Sequence, residues 1–305
     1  MGKLQNKLTW SASRNGTLQG CARKYYFQYY LSWGGWESGC DKRVRTAYVL
    51  KNLKSRQMWA GTKVHEAIEH CLKNLMRGMS ILPPEQVINI TVEDMRREYM
   101  GSLKKVYIQK PKQLGLVEHH YQQDVPKEKW AENADLVRKG LTNFYKSDLF
   151  NHLRSMPIEN FIEIENLTTF NFDGTDIWVS LDLCYRDGDN IIIVDWKTGR
   201  PSDKPAPMQL ATYALYAQDK WGCKAENLRL KEINLPHEVN HEFTFSDEET
   251  NHTRALIKGC IADTQSLLVD VAKNIPKPEE EFALADNENA CNWCNFKEIC
   301  PKFTS

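Results

Sequence analysis

Over the first 150 residues apolar positions recur at helical spacing, and near residue 161 the texture changes to alternation. Ser11 or Ser13 can cap a helix running through Cys21 to Tyr30. Thr62 opens a second, whose Val64, Ile68, Leu72 and Leu75 share one face. Pro83 and Pro84 interrupt the pattern, and further helices are expected over 92–106 and 129–149. The polar stretch 110–128, with two prolines, reads as a loop or a mobile connection. Residues 161–172, 177–185 and 191–196 then read as strands joined by Asp173-Gly174 and Asp187-Gly188, a three-stranded meander. A rigid loop over 201–207, a helix over 208–221, strands over 228–235 and 241–245 and a helix over 247–273 follow. Helices flanking a mixed sheet make an α/β or α+β domain, with α/β the expectation. Its expected parts are a helical region over 1–150, a core over 151–275 and a C-terminal segment over 276–305.

Composition narrows the class. The 305 residues are 41% hydrophobic and 26% charged, which suits a soluble globular core and excludes disordered, collagen-like and disulfide-scaffold chains. Clean apolar runs such as Ile191 to Val194 fall far short of the roughly 20 residues of a spanning helix. The opening MGKLQNKLTW lacks the apolar centre of a secretory leader, and Asn6 sits where a myristoylation signal carries Ser or Thr. A cytoplasmic protein with no membrane partner is the expectation. Forty basic and forty acidic residues give zero net charge, so any nucleic-acid surface has to be local. The basic run over 42–56 and the acidic run over 279–288 read first as solvated faces.

Nine cysteines in a reducing compartment point to metal chemistry or buried thiols rather than disulfides. Cys291, Cys294 and Cys300 form C-x2-C-x5-C, and the other six are scattered singly. A second constellation lies on the meander. Asp182 on its second strand and Asp195-Trp196-Lys197 at the end of its third can bring two carboxylates and a lysine to one point. Asp195 and Lys197 share a face while Trp196 points away. Neighbouring carboxylates repel unless a cation lies between them. Mg2+ accepts such a set together with phosphate oxygens, and a lysine beside it can steady a water or a developing charge. His65-Glu66-Ala67-Ile68-Glu69-His70 superficially matches a zinc-protease H-E-x-x-H. Its histidines are five apart, about 140° around a helix, so that reading is rejected.

Four segments in order, Gly61-Thr62-Lys63-Val64-His65, Ser180-Leu181-Asp182, Asp195-Trp196-Lys197-Thr198-Gly199 and Gln209-Leu210-Ala211-Thr212-Tyr213, resemble the pattern of the PD-(D/E)XK nuclease superfamily in its RecB-like and Cas4-like branch. The resemblance covers most of the chain, with 110–128 outside it. It implies a restriction-endonuclease-like core, a mixed sheet flanked by helices. Mg2+ or Mn2+ would be held by His65, Asp182, Asp195 and the Trp196 carbonyl, with Lys197 positioning the nucleophile. Gln209 and Tyr213, four apart on one helix face, would line the cleft beside substrate. The pattern also carries an acidic residue on the strand before Asp182. Glu163 and Glu165 both fit, two apart and so on one side, and Glu163 is the expectation.

Several members of this branch hold a [4Fe-4S] cluster with one N-terminal and three C-terminal cysteines, which here implies Cys21, Cys291, Cys294 and Cys300. Zinc knuckles more often pair two local C-x2-C motifs, whereas Cys21 lies 270 residues before Cys291, so iron-sulfur is favoured over zinc. Ala22 replaces the proline common after the first cysteine, Cys300-Pro301 keeps one, and Cys40 is the rival ligand. Arg23-Lys24-Tyr25-Tyr26-Phe27-Gln28-Tyr29-Tyr30 interleaves basic and aromatic residues. Packing is the plainer account of the rings, leaving Arg23 and Lys24 as candidate DNA contacts. The expected function is a metal-dependent DNA nuclease, an exonuclease on single-stranded or otherwise free DNA ends. Repair, recombination, phage defence or CRISPR adaptation would be its setting, with protein partners in such a complex. The alternative is a catalytically silent nuclease-like binding module.

Overall fold

The computed structural model describes residues 4–201 and 208–304, so all but the first residue of the expected 201–207 loop lies outside the described residues. The N-terminal part runs β1 (Thr9–Trp10), α1 (Ala12–Gly20), α2 (Ala22–Tyr26), a π-helical turn (Phe27–Leu31), α3 (Lys42–Lys51), β2 (Leu53–Lys54) and α4 (Arg56–Met76). Next come α5 (Pro84–Leu103), β3 (Gly115–Leu116), α6 (Val117–His120), α7 (Lys127–Lys146) and α8 (Asp148–Ser155). The sheet follows with β4 (Phe161–Phe172), β5 (Thr175–Asp187) and β6 (Asn190–Lys197), then α9 (Met208–Trp221), β7 (Leu228–Asn234), β8 (Val239–Phe243) and α10 (Asp247–Ser266). A hairpin of β9 (Leu268–Asp270) and β10 (Ile275–Pro276) precedes the cysteine-bearing C-terminal segment.

Six strands form one mixed sheet in the order β1-β5-β6-β7-β8, with β4 also paired to β5. The meander β4-β5-β6 is antiparallel, β6 and β7 are parallel, and β1 joins β5 in parallel, placing the start of α1 beside it. Alternation along β6 sets the two cores. Ile192, Val194 and Trp196 pack with Val64, Ile68, Val137, Leu141 and Phe144 of α4 and α7. Ile191 and Ile193 pack with Leu210, Ala214, Ile257 and Ile261 of α9 and α10. A strand buried on both faces explains its unbroken apolar run, and the same alternation puts Asp195 on the α9 side. Both hairpin turns are as expected, with Asp173 and Gly174 at φ 47° and 85°, and Gly188 at φ 57°.

Several helix ends differ from the sequence reading. Ser55, rather than Thr62, caps α4 by accepting from Met58 N, while the Thr62 hydroxyl bonds back to Met58 O inside the helix. The first expected helix breaks at Cys21, whose extended backbone (φ −169°, ψ 110°) ends α1 and whose sulfur caps α2 by accepting from Lys24 N. Pro84 opens α5 instead of breaking a helix, as its missing N–H has no intrahelical partner there anyway. Ser147 splits the 129–149 helix by capping α8. The 110–128 stretch contains β3 and α6, and α10 stops at Ser266, where the chain turns into the β9-β10 hairpin. Among the described residues no helix is long and apolar enough to cross a membrane.

Candidate metal and cysteine sites

The β5-β6 ladder ends at the pair Leu183 and Val194. Asp182 and Asp195 are the next residues on each strand, so the carboxylates sit where the two strands part. Continuing the β4-β5 register, which pairs Ile164 with Leu183 and Asn166 with Leu181, puts Glu165 level with Asp182. Three carboxylates thus lie on one transverse row across β4, β5 and β6. Asp182 and Asp195 are nearly buried, at 8% and 2% exposure.

His65 reaches this row from α4. Its Nδ1 is 3.3 Å from a Glu165 oxygen and 3.5 Å from an Asp182 oxygen. Gly61, one turn earlier, makes the approach possible: a Cβ there would stand 2.7 Å from Thr198 Oγ1, just beyond the β6 lysine. The second Asp182 oxygen accepts from Trp196 N at 2.6 Å. In an extended strand the N–H and C=O of one residue face the same edge, so the Trp196 carbonyl faces the site, while its ring packs edge-on against Phe144.

Lys197 ion-pairs with Asp195 and donates to Gln209 Oε1 at 3.3 Å. Gln209 in turn donates to Asp195 Oδ1 at 3.2 Å and to Tyr213 Oη at 2.6 Å, and Tyr213 donates to the Ser180 carbonyl at 2.7 Å. The Gln-x-x-x-Tyr face of α9 therefore acts as a brace for Asp195 and Lys197. Burial, with Asp195 and Asp182 nearby, holds the Tyr213 phenol protonated well above its usual range.

Burial pushes the Asp195 carboxyl up to about 6, Asp182 adds to the rise, and Lys197 opposes it. For His65 burial disfavours the charged ring, but hydrogen bonds and attraction from Asp182 and Glu165 outweigh it and lift the imidazolium to about 10. Burial and Asp182 raise Glu165, against His65. The proton on His65 thus balances part of this concentration of carboxylates. One ligand atom each from His65, Glu165 and Asp182 lies within 4.8 Å of the others. These three groups would suit a hard divalent cation such as Mg2+.

Glu163, the expected acidic residue, is elsewhere. It accepts from Tyr216 Oη at 2.8 Å and pairs with Lys220, two turns and more along α9 from Gln209. Two residues of strand span about 6.6 Å, enough to put the two glutamates under different turns of the covering helix. Glu165 takes the place, at an unusual φ of 44° for a non-glycine strand residue. Such conformations cost on the order of 1–3 kcal/mol and persist where surrounding structure holds them.

Cys21, Cys291, Cys294 and Cys300 all line one cavity of about 270 Å³. The backbone N–H of Lys24 donates to the Cys21 sulfur and that of Phe296 to the Cys294 sulfur, each at 3.4 Å. Burial raises the Cys294 thiol, with Cys21 and Cys300 adding to the rise and Lys24 opposing it. A single zinc with 2.3 Å bonds would hold its sulfurs about 3.8 Å apart. Among the described residues no trio of cysteine sulfurs lies within even 4.8 Å. Cys40 is not part of this group and contacts Gly35 O at 3.7 Å.

Arg23 does not face solvent. It is 7% exposed, donates to Phe282 O at 3.0 Å and pairs with Glu279, so it fastens the N-terminal helices to the C-terminal segment. Lys24 borders the cysteine cavity. Sequence reasoning missed Arg14 and Trp178 and set Tyr29 aside as packing; all three line a cavity of about 840 Å³ together with Glu165, Asp182, Gln209 and Tyr213. Only the fold brings these three segments together.

No curated protein matches the chain. Among solved structures, one described as "Crystal structure of SSO0001" is similar at 21% identity over 62% of this chain and 79% of that one, with a TM-score of 0.28. The family model of the PD-(D/E)XK nuclease superfamily matches residues 9–301, nearly the whole sequence. By that match, over a mixed sheet flanked by helices, the chain belongs to the PD-(D/E)XK nuclease superfamily.

Proposed function

We propose that the protein is a divalent-metal-dependent deoxyribonuclease of the RecB-like, Cas4-like branch that degrades single-stranded DNA from a free end. The observation that carries this reading is the row Glu165, Asp182, Asp195, met by His65 from α4 and Lys197 from β6, with Glu165 and Asp182 lining a cavity beside it. His65, Glu165, Asp182, Asp195 and the Trp196 carbonyl would hold Mg2+ or Mn2+. When bound, such a cation polarises a phosphodiester and acidifies its water. The protein's own groups do the rest. Lys197 hydrogen-bonds and orients the attacking water and meets the charge that develops on phosphate. Gln209, anchored by Tyr213, keeps Asp195 and Lys197 in register.

In this reading Cys21, Cys291, Cys294 and Cys300, which line one cavity, would hold a [4Fe-4S] cluster. The cavity sits where Arg23 N to Ala283 O, Tyr30 to Asn274 and Asn295 to Leu50 O already tie the two ends together. The cluster's role there is a clasp. A wall formed by α1, the π-helical turn, β5 and α9 encloses the catalytic row on one side, which favours threading of an end over gripping of a duplex.

The test compares an end-labelled linear single strand with a covalently closed circle of the same sequence, using anaerobically purified protein and Mn2+. Loss of the linear strand with survival of the circle is expected. Rapid cutting of circles would replace the end-dependent reading with endonuclease action, and no cleavage of any DNA would remove the nuclease reading.

A further inference from the structure

Arg14 lies in the first turns of α1, where β1 pairing with β5 delivers the chain to the mouth of the catalytic cavity. Its guanidinium stands 4.4 Å from the centre of the Tyr29 ring, and Lys51 Nζ is 5.8 Å from the same ring. Neither cation pairs with a carboxylate among the described residues, whereas Arg23 and Arg43 share Glu279. Cations gathered around one aromatic ring without a counter-ion leave positive charge available to an anion. Burial lowers the Lys51 ammonium, and the nearby Arg14 lowers it further.

Tyr29 is carried by the π-helical turn Phe27–Leu31. Such turns are rare, cost regular hydrogen bonding and frequently occur at functional sites. This one points a ring into the cavity that holds Glu165 and Asp182. Trp178, on β5 two rungs from Ser180 and four residues before Asp182, borders the same space and is only partly buried. A half-buried tryptophan on a strand, beside an unpaired arginine and within reach of a phosphodiester-cleaving row, has the composition of a single-strand subsite.

We infer that Arg14, held on Tyr29 with Lys51 behind it, binds a backbone phosphate adjoining the scissile one, and that Trp178 stacks on an unpaired base of the same strand. The ligand class is single-stranded nucleic acid. This deepens the proposed function and rests on it. It also places the substrate contact one helix away from Arg23 and Lys24, which the fold uses for the clasp.

The experiment measures binding of a fluorescein-labelled oligothymidylate by anisotropy across a salt series in EDTA, alongside Mn2+-dependent cleavage by the same preparations. Arg14→Gln should weaken binding about 10-fold and make the log-log salt slope shallower by about 0.7, with the slope restored in Arg14→Lys. Trp178→Ala should weaken binding about 10- to 100-fold with the slope unchanged, and Trp178→Phe should recover most of it. Because the conservative variants keep bulk and charge, their recovery separates lost contact from lost fold. If wild-type protein binds and cleaves but all four variants bind as it does, the subsite is wrong and the nuclease reading stands. If wild-type protein neither binds nor cleaves, the nuclease reading fails and the subsite falls with it.

Discussion

Exchanging the two glutamates of β4, one at a time, separates the metal row from the scaffold around it. Glu163 is 8% exposed and satisfied by the Tyr216 hydroxyl and by Lys220, whose side chain is 39% exposed. In Glu163→Gln the Tyr216 hydroxyl can still donate to the amide oxygen and Lys220 can turn to water. The charge-assisted part of the interaction, discounted for that solvent access, is about 1–2 kcal/mol. For a chain of this size that is a fall in Tm of about 2–4 °C per kcal/mol, with metal binding and cleavage retained. Glu165→Gln acts in the opposite sense. It removes one of the donors that lie within 4.8 Å of each other and leaves a neutral amide beside Asp182. Relief of carboxylate repulsion offsets the loss of the His65 contact, so Tm should move little, whereas even outer-shell losses cost metal sites about 10- to 100-fold and a lost ligand at least the upper figure. Differential scanning fluorimetry and Mn2+ titration by electron paramagnetic resonance read the two effects independently. Weakened Mn2+ binding in Glu163→Gln with normal binding in Glu165→Gln would refute the placement of the row.

Other outcomes follow from single contacts. Gly61→Ala puts a methyl group 2.7 Å from Thr198 Oγ1, so α4 and His65 must shift; activity should fall about 10-fold or more even though alanine favours a helix by about 1 kcal/mol, and cleavage at the wild-type rate would contradict the close approach. Protein purified without oxygen should be brown, with broad absorption near about 400 nm, and Cys294→Ser should lose the colour while Cys40→Ser keeps it; one zinc and no iron by elemental analysis would overturn the cluster. The raised His65 and Asp195 predict proton release on metal binding. At pH 7.5 His65, lifted to about 10, must give up its proton to coordinate, whereas Asp195, near 6, is already ionised. Mn2+ affinity should therefore fall as pH is lowered, more steeply below about 6. Calorimetry in buffers of different ionisation enthalpy should show about one proton released at pH 7.5, and none in His65→Asn.

The central sheet was legible because its signals are local. Alternation marked β4 to β6, Asp-Gly pairs marked the two turns, and the bounds read for α9 coincide with Met208–Trp221. What failed depended on contacts between distant segments. Thr62 and Ser55 are equally good caps in sequence, and only the burial of Trp59 and Ala60 against the core extends α4 back to Ser55. Glu163 and Glu165 are indistinguishable by period; the choice is made by Lys220 and Tyr216, which claim the first, and by His65, which meets the second. Arg23 looked like a DNA contact until Glu279 and Phe282, more than 250 residues later, were seen to occupy it. The cysteines could be paired with one another from their spacing and the family resemblance, yet the cavity they share depends on a chain reversal that no local pattern announces.

Phosphodiester cleavage at the row of carboxylates is tested most directly by Mn2+-dependent release of label from a single-stranded DNA end with wild-type protein, Asp195→Asn and Lys197→Ala. Wild-type activity abolished by EDTA, with both variants folded yet slowed by about 100-fold or more, is the predicted result. Wild-type rates in Asp195→Asn, or cleavage indifferent to EDTA, would contradict it.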